Sequence, residues 1–182
     1  MYISQELRKK NIAEYLLYMW QIEDLIRSFD CNIDAIEQKV ISQFPAEQQA
    51  DERKWFEGLI TMMELEGKKK SGHLQVNTNI LLLLAELHQQ LLGSDKFPEY
   101  GAEFYRTLPI IVDLRARSQG NQAGELETCF NALYGTLLLK LQGKPLSEGT
   151  QKAMQQISRF IAMLSALFKK NEEEPLFEEP EV

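Results

Sequence analysis

The chain has 182 residues, of which 44% are hydrophobic and 26% charged, which provides a sizeable core for one domain and argues against bulk disorder. Its net charge of −7 is concentrated at the C-terminus, because 20 basic residues face only 21 acidic ones once six glutamates are set aside: Glu172, Glu173, Glu174, Glu178, Glu179 and Glu181. A nearly neutral body lacks the electropositive face of a nucleic-acid binder, and no apolar run approaches the roughly 20 residues that a transmembrane helix needs.

Helix signals recur along the chain, and the alternating pattern of strands is nearly absent. Apolar residues spaced three and four apart predict seven helices, at residues 4–29, 33–44, 46–66, 73–92, 97–117, 126–141 and 147–168. Ser4 and Ser147 are the expected N-caps of the first and last helices, and Pro109 is expected to kink the fifth. Because short connections favour antiparallel neighbours, the predicted fold is all-α, a single up-and-down bundle of about six to seven helices.

The composition changes at residue 171, where an acidic, proline-containing segment begins. This change predicts a helical bundle domain at residues 1–170 and a disordered or loosely docked tail at residues 171–182. Leu176 and Phe177 form an apolar island within the tail, as short linear interaction motifs often do. We therefore expect the tail to bind a protein partner, to dock onto the chain itself or to be disordered.

Cysteine and histidine positions argue against a metal site. Cys31 and Cys129 are too few and too distant for a disulfide framework or a thiolate site, and are expected to be buried in a reducing compartment. His73 and His88 are fifteen residues apart on one predicted helix, or roughly 22 Å, so they cannot share an ion within one subunit. We expect His88 to be a core residue and His73 to cap or pack at a helix start. No metal or other cofactor is predicted.

A few charged residues lie on apolar helix faces and are candidates for a buried polar site. Glu23 can pair with Arg27 one turn later, or meet Glu66 in a pair suited to acid–base chemistry or cation binding. Arg115 continues an apolar stripe, and its guanidinium could bind a buried carboxylate, bind an anionic ligand or simply extend into solvent at a helix end. The candidate pocket residues are Glu23, His88, Arg115 and Glu127.

Motifs for nucleophilic catalysis and for phosphate binding are missing from the sequence, which favours a protein that is not an enzyme. The N-terminus is polar and has no apolar signal segment, so we expect a cytoplasmic protein. Two functions remain open. The favoured one is a helical interaction or regulatory module with a protein partner, or a homodimer; the alternative is a bundle whose polar pocket around Arg115 binds a small anion or carries out an undescribed reaction.

Several segments carry a family resemblance: residues 11–24 (NIAEYLLYMWQIED), 72–74 (GHL), 87–88 (LH), 91–92 (LL), 114–115 (LR) and 127–135 (ETCFNALYG). On these segments the chain resembles an all-helical family of about 180 residues from Bacteroides and related bacteria, which is known only as a domain of unknown function. The resemblance covers nearly the whole chain apart from the tail. It implies a small helical bacterial protein and assigns no site residue, ligand or reaction.

Overall fold

The computed structural model describes residues 1–118 and 123–177, and within these ranges the chain forms eight α-helices. The helices are α1 (Tyr2–Lys10), α2 (Ile12–Ser28), α3 (Ile33–Lys39), α4 (Ala46–Leu65), α5 (Gln75–Leu92), α6 (Pro98–Arg117), α7 (Glu125–Leu141) and α8 (Glu148–Glu173), with a short 3₁₀ turn (Ile41–Gln43) after α3. The all-α class is confirmed. The expected six to seven helices are too few by at least one.

The additional helix arises at Asn11, which divides the predicted first helix in two. Asn11 has extended backbone angles, and its side-chain oxygen accepts hydrogen bonds from the N–H groups of Ala13 and Glu14. Its amide nitrogen donates to the Glu14 carboxylate at 3.0 Å, which holds the capping side chain in place. Ser4, the predicted cap, instead lies inside α1, where its hydroxyl donates to the carbonyl of Met1. Local capping by asparagine outweighs the apolar periodicity that continues across it.

Most other helix boundaries follow local signals in the sequence. α4 begins directly after Pro45, α6 has Pro98 in its first turn, and the Ser147 hydroxyl accepts a hydrogen bond from Thr150 N–H at the start of α8. α6 continues through Pro109 to its end at Arg117. None of the helices in the described ranges is both long enough and apolar enough to cross a membrane.

The chain divides into two compact units, residues 1–80 and 81–182, and each is described by itself. The first unit contains α1 to α4 and the first turns of α5. Its core combines apolar side chains from α2, the α3 region, α4 and the residue before α5, namely Met19, Ile22, Ile26, Ile36, Ile41, Phe56, Leu59, Ile60, Met63 and Leu74. This core places one face of α2 against the segment that leads into α5.

The second unit contains the remainder of α5 and α6, α7 and α8, and these last three helices all pack against one another. Large aromatic side chains occupy its centre, including Tyr100, Phe104, Phe130 and Phe160. α8 extends to Glu173, so its last three residues belong to the predicted tail, and residues 178–182 of that tail lie outside the described ranges. The single up-and-down bundle and the boundary at residue 170 stay predictions.

Candidate functional site

Glu23 is the best-connected buried charge of the first unit. Its side chain projects from α2 and is 0% exposed. Oε1 accepts hydrogen bonds from Leu74 N–H at 2.9 Å and from the Asn77 amide at 2.7 Å, and Oε2 lies 2.6 Å from His73 Nδ1. Because an ionised carboxylate can only accept, the hydrogen of this last bond belongs to the imidazole. A buried carboxylate thus connects α2 to the start of α5, about 50 residues later in the chain.

Glu23 and Glu66 both bind backbone N–H groups at the same helix end. Glu66 Oε2 accepts a hydrogen bond from Gln75 N–H at 2.7 Å, while Glu23 accepts one from the preceding residue, Leu74. Two carboxylates therefore bind successive N–H groups at the start of α5, where the helix dipole favours negative charge. The two carboxylates therefore cap the N-terminal end of α5.

His73 is held in one orientation by two neighbours. Besides the bond to Glu23, its ring stacks on the indole of Trp20, with ring centroids 4.1 Å apart and planes inclined by 13°. The side chain is 33% exposed, and its Nε2 makes no hydrogen bond within the described part of the chain. Since Nδ1 carries the hydrogen in the neutral ring, Nε2 carries the lone pair. His73 is thus an oriented imidazole with its basic nitrogen available.

Two cations lie against the loop that precedes this imidazole. Arg27 donates to the backbone carbonyl of Lys68 at 3.1 Å and to that of Gly72. Its ion pair is with Asp24, at 2.7 Å, and not with Glu23 as the sequence predicts. The Lys68 ammonium lies 3.4 Å from the position that a β-carbon on Gly72 would take. Gly72 has a φ of +82°, a backbone conformation that favours glycine. The loop before His73 is therefore electropositive on this side.

His88, in the second unit, is a buried core residue as expected. Its Nδ1 lies 2.6 Å from the Tyr100 hydroxyl, and its ring meets Phe104 edge-on with centroids 4.8 Å apart. Burial lowers the pKa of His88, and the nearby Glu125 carboxylate, 3.5 Å from Nε2, partly opposes this shift. A neutral ring fits this site: Tyr100 donates to Nδ1, and the Nε2 hydrogen faces Glu125.

The groups around His88 are held in their neutral forms. Burial raises the pKa of the Tyr100 hydroxyl, and burial raises the pKa of the Cys129 thiol to about 12. Glu125 adds to both shifts. A thiol with so high a pKa carries almost no thiolate at neutral pH, so Cys129 is a poor nucleophile. Both cysteines are free, and Cys31 is only half-buried, unlike the expectation for it.

The other predicted pocket residues have separate surroundings. Arg115 is half-buried and donates to the backbone carbonyl of Ala123, at 2.9 Å from Nε and through a second guanidinium nitrogen. Glu127 is exposed on α7. Glu23 belongs to the first unit, where its partners are those given above, and His88 bonds to Tyr100. Arg115 therefore anchors the chain that leads into α7, and the anion pocket stays a prediction.

The second half of α7 is apolar but only partly covered. Buried residues on this helix lie only in its first half, from Leu126 to Phe130. Residues 132–141 contain none, although they include Leu133, Leu137, Leu138, Leu139 and Leu141. In the described part of the chain, apart from its own helix, no atom lies within 4 Å of the position that a β-carbon on Gly135 would take, so no other helix packs closely against this glycine there. We call residues 132–141 the α7 surface.

The described part of the tail docks onto the chain itself. Leu176 N–H donates to the Asn171 side chain at 2.9 Å, and the Phe177 ring lies 5.7 Å from the ring of Phe97, at the start of α6. Leu176 and Phe177 are both half-buried. Of the three expectations for this segment, self-docking describes residues 176–177, and binding of a partner by Leu176 and Phe177 stays a prediction.

A comparison with known protein families shows which family the chain belongs to. A family described as "Domain of unknown function (DUF4924)" matches residues 1–175. The chain belongs to this family. The expected membership of an uncharacterised helical family is thereby confirmed for this DUF4924 protein, while its bacterial source stays a prediction. No curated protein and no solved structure matches the chain.

Sequence reasoning singled out Glu23 but missed its partnership with His73. The two residues are 50 positions apart, and each lies on a face whose local pattern is explained by packing or capping. Trp20 and Asn77, which complete the cluster, carry no local signal of a site. In the described ranges, no group of three or more His, Cys, Asp and Glu side chains is arranged to hold a metal ion.

Proposed function

We propose that this DUF4924 protein is a cytoplasmic helical interaction module that forms a homodimer through the α7 surface. The observation that carries the proposal is that residues 132–141 are rich in leucine and that none of them is buried. A helix that is apolar on all sides is expected to be enclosed by other structure. Leu139 is 37% exposed and Leu141 is 69% exposed, so a partner that covers them would remove apolar area from water.

A second copy of the chain is the partner that fits this surface best. Gly135 has open space beside it, which allows the backbone of another helix to approach closely. In a two-fold symmetric dimer the same apolar patch meets itself, so one uncovered helix is enough to build the contact. Apart from its acidic tail the chain is nearly neutral, so two copies do not repel each other strongly.

Light scattering during size-exclusion chromatography of the full chain tests the proposal. We expect a concentration-dependent dimer for the unmodified chain and a monomer for the double variant Leu139→Glu/Leu141→Glu, because four buried carboxylates would face each other across the two-fold axis. The matched control is Leu65→Glu at the end of α4, where the side chain is 83% exposed, and this variant should still dimerise. A strictly monomeric unmodified chain, or a double variant that dimerises like the control, would overturn the proposal.

A further inference from the structure

The cluster around His73 has the parts of a phosphoryl acceptor. We infer that His73 Nε2 accepts a phosphoryl group from an acyl phosphate, a function separate from dimerisation through the α7 surface. The nucleophile is in place: the side chain is 33% exposed and Nε2 makes no hydrogen bond in the described ranges. His88, the other histidine of the sequence, is buried and bonded to Tyr100, so His73 is the accessible imidazole.

Glu23 supplies a negative charge at Nδ1, on the side of the His73 ring opposite to the reacting Nε2. When Nε2 bonds to phosphorus while Nδ1 keeps its hydrogen, the ring becomes cationic. The Glu23 carboxylate lies 2.6 Å from Nδ1 and is itself fixed by hydrogen bonds from Leu74 and Asn77. A preorganised carboxylate at this position stabilises the developing positive charge, as it does in carboxylate–histidine pairs generally. Its burial prevents water from screening the interaction.

Trp20 stabilises the same cationic ring from its face. The indole and the imidazole are nearly parallel, with centroids 4.1 Å apart. A cation over an indole face is attracted by the ring quadrupole. The stack also fixes the ring plane, so that the Nε2 lone pair has one direction of attack. Trp20 is therefore a positioning residue.

Lys68 and Arg27 provide positive charge for the incoming phosphoryl oxygens. Both lie against the backbone of Gly72, the residue before His73. Asp24 offsets part of the Arg27 charge, whereas Lys68 forms no ion pair within the described part of the chain. An ammonium on a flexible stem can follow the phosphoryl group from donor to acceptor. Lys68 is thus the cation whose loss should slow the transfer most.

The transfer balances without a further reactant. The Nε2 lone pair attacks phosphorus, the N–P bond forms, and the P–O bond to the acyl group breaks. The carboxylate leaves with the electron pair of that bond, and the Nδ1 hydrogen stays between the imidazole and Glu23. No atom changes oxidation state, and the leaving group is the anion of a carboxylic acid. The product is a phosphohistidine paired with a buried carboxylate.

Acetyl phosphate is the probe, applied to the full chain with free N-acetylhistidine as the reference. Intact-mass spectrometry and phosphorus NMR measure an acid-labile, base-stable phosphoryl group, and peptide mapping in alkaline conditions assigns it to His73 or His88. The variants are His73→Gln, Glu23→Gln and Lys68→Gln, with Lys54→Gln, an exposed lysine on α4, as the charge-matched control. Tryptophan fluorescence verifies the fold of each variant.

We expect His73 to react at least about tenfold faster than N-acetylhistidine, since stabilisation by one charge-assisted hydrogen bond accounts for such a factor. Glu23→Gln and Lys68→Gln should each reduce this rate by about tenfold, Lys54→Gln should leave it unchanged, and His73→Gln should abolish it. A rate equal to that of N-acetylhistidine overturns the inference, as does a Lys68→Gln rate equal to that of Lys54→Gln. Lys68→Gln decides the outcome even if Glu23→Gln fails to fold. The double variant of the α7 surface should be phosphorylated normally, so the two proposals fail independently.

Discussion

Replacing Glu23 by alanine removes the acceptor on which the start of α5 depends. The Leu74 N–H and the fully buried Asn77 amide then lose their partner, and each buried unsatisfied donor costs about 1–3 kcal/mol. His73 is partly exposed and can bind water instead. We therefore expect the free energy of unfolding of the first unit to fall by about 3–5 kcal/mol. Glu23→Gln keeps an acceptor oxygen and should cost only about 1–2 kcal/mol.

Urea unfolding monitored by tryptophan fluorescence measures this loss in the correct unit. Both tryptophans, Trp20 and Trp55, lie within residues 1–80, and Trp20 stacks directly on His73. The matched control is Asp24→Ala on the same helix. The Asp24 side chain is 48% exposed and pairs with Arg27, so its removal should cost about 0–1 kcal/mol.

The order of the three variants tests the reasoning more sharply than any single value. A burial-driven effect requires Glu23→Ala to cost most, Glu23→Gln less and Asp24→Ala least. If Glu23→Ala and Asp24→Ala lower the free energy of unfolding equally, the hydrogen bonds to Leu74 and Asn77 do not stabilise the unit. If Glu23→Gln lowers the free energy of unfolding as much as Glu23→Ala does, the negative charge of Glu23 stabilises the unit and a neutral acceptor oxygen at this position does not.

Two further outcomes concern the second unit. Burial keeps the pKa of His88 below its unfolded value of about 6.5, so the unfolded chain binds more protons and the free energy of unfolding should fall as the pH decreases through this range. Circular dichroism of urea unfolding at pH 7.5 and pH 5.5 measures this loss. The loss should be smaller in His88→Gln, and equal losses in the two chains would contradict the assignment. Because Cys129 is buried with a pKa raised to about 12, an aromatic disulfide reagent should titrate one thiol, Cys31, in the native chain and two in urea. Native Cys31→Ser should then show none, and a reactive thiol in that variant would show that Cys129 is accessible.

The proposed dimer and the proposed phosphoryl acceptor use different parts of the chain. The α7 surface belongs to the second unit, and the Glu23–His73 pair belongs to the first. The first proposal depends on apolar area left uncovered, the second on a buried carboxylate that orients an accessible imidazole. Together they describe a helical module that associates through one element and carries reactive chemistry on another.

Helix positions were predictable because their signals are local. Apolar spacing of three and four residues, prolines in first turns and a serine cap depend only on neighbours along the chain. These signals located both ends of α4 and the start of α8 closely, whereas α8 ends five residues later than predicted. The break at Asn11 is also local, but there the apolar stripe and the capping pattern disagree. The stripe continues through Ile12 and Leu16, whereas the Asn11 side chain, held by Glu14, caps the start of α2.

The sequence alone thus determined the all-α class, the location of the acidity in the tail and most helix ends, since each follows from short-range sterics, hydrogen bonding or composition. Only the tertiary structure decided which charges meet. Glu23 bonds to His73 and Asn77 rather than to Arg27, and Arg115 bonds to a backbone carbonyl rather than to a carboxylate. It also decided that the leucines in the second half of α7 are not fully buried. Burial and pairing depend on which distant segments fold over a residue, and a helical repeat records only that a face is apolar.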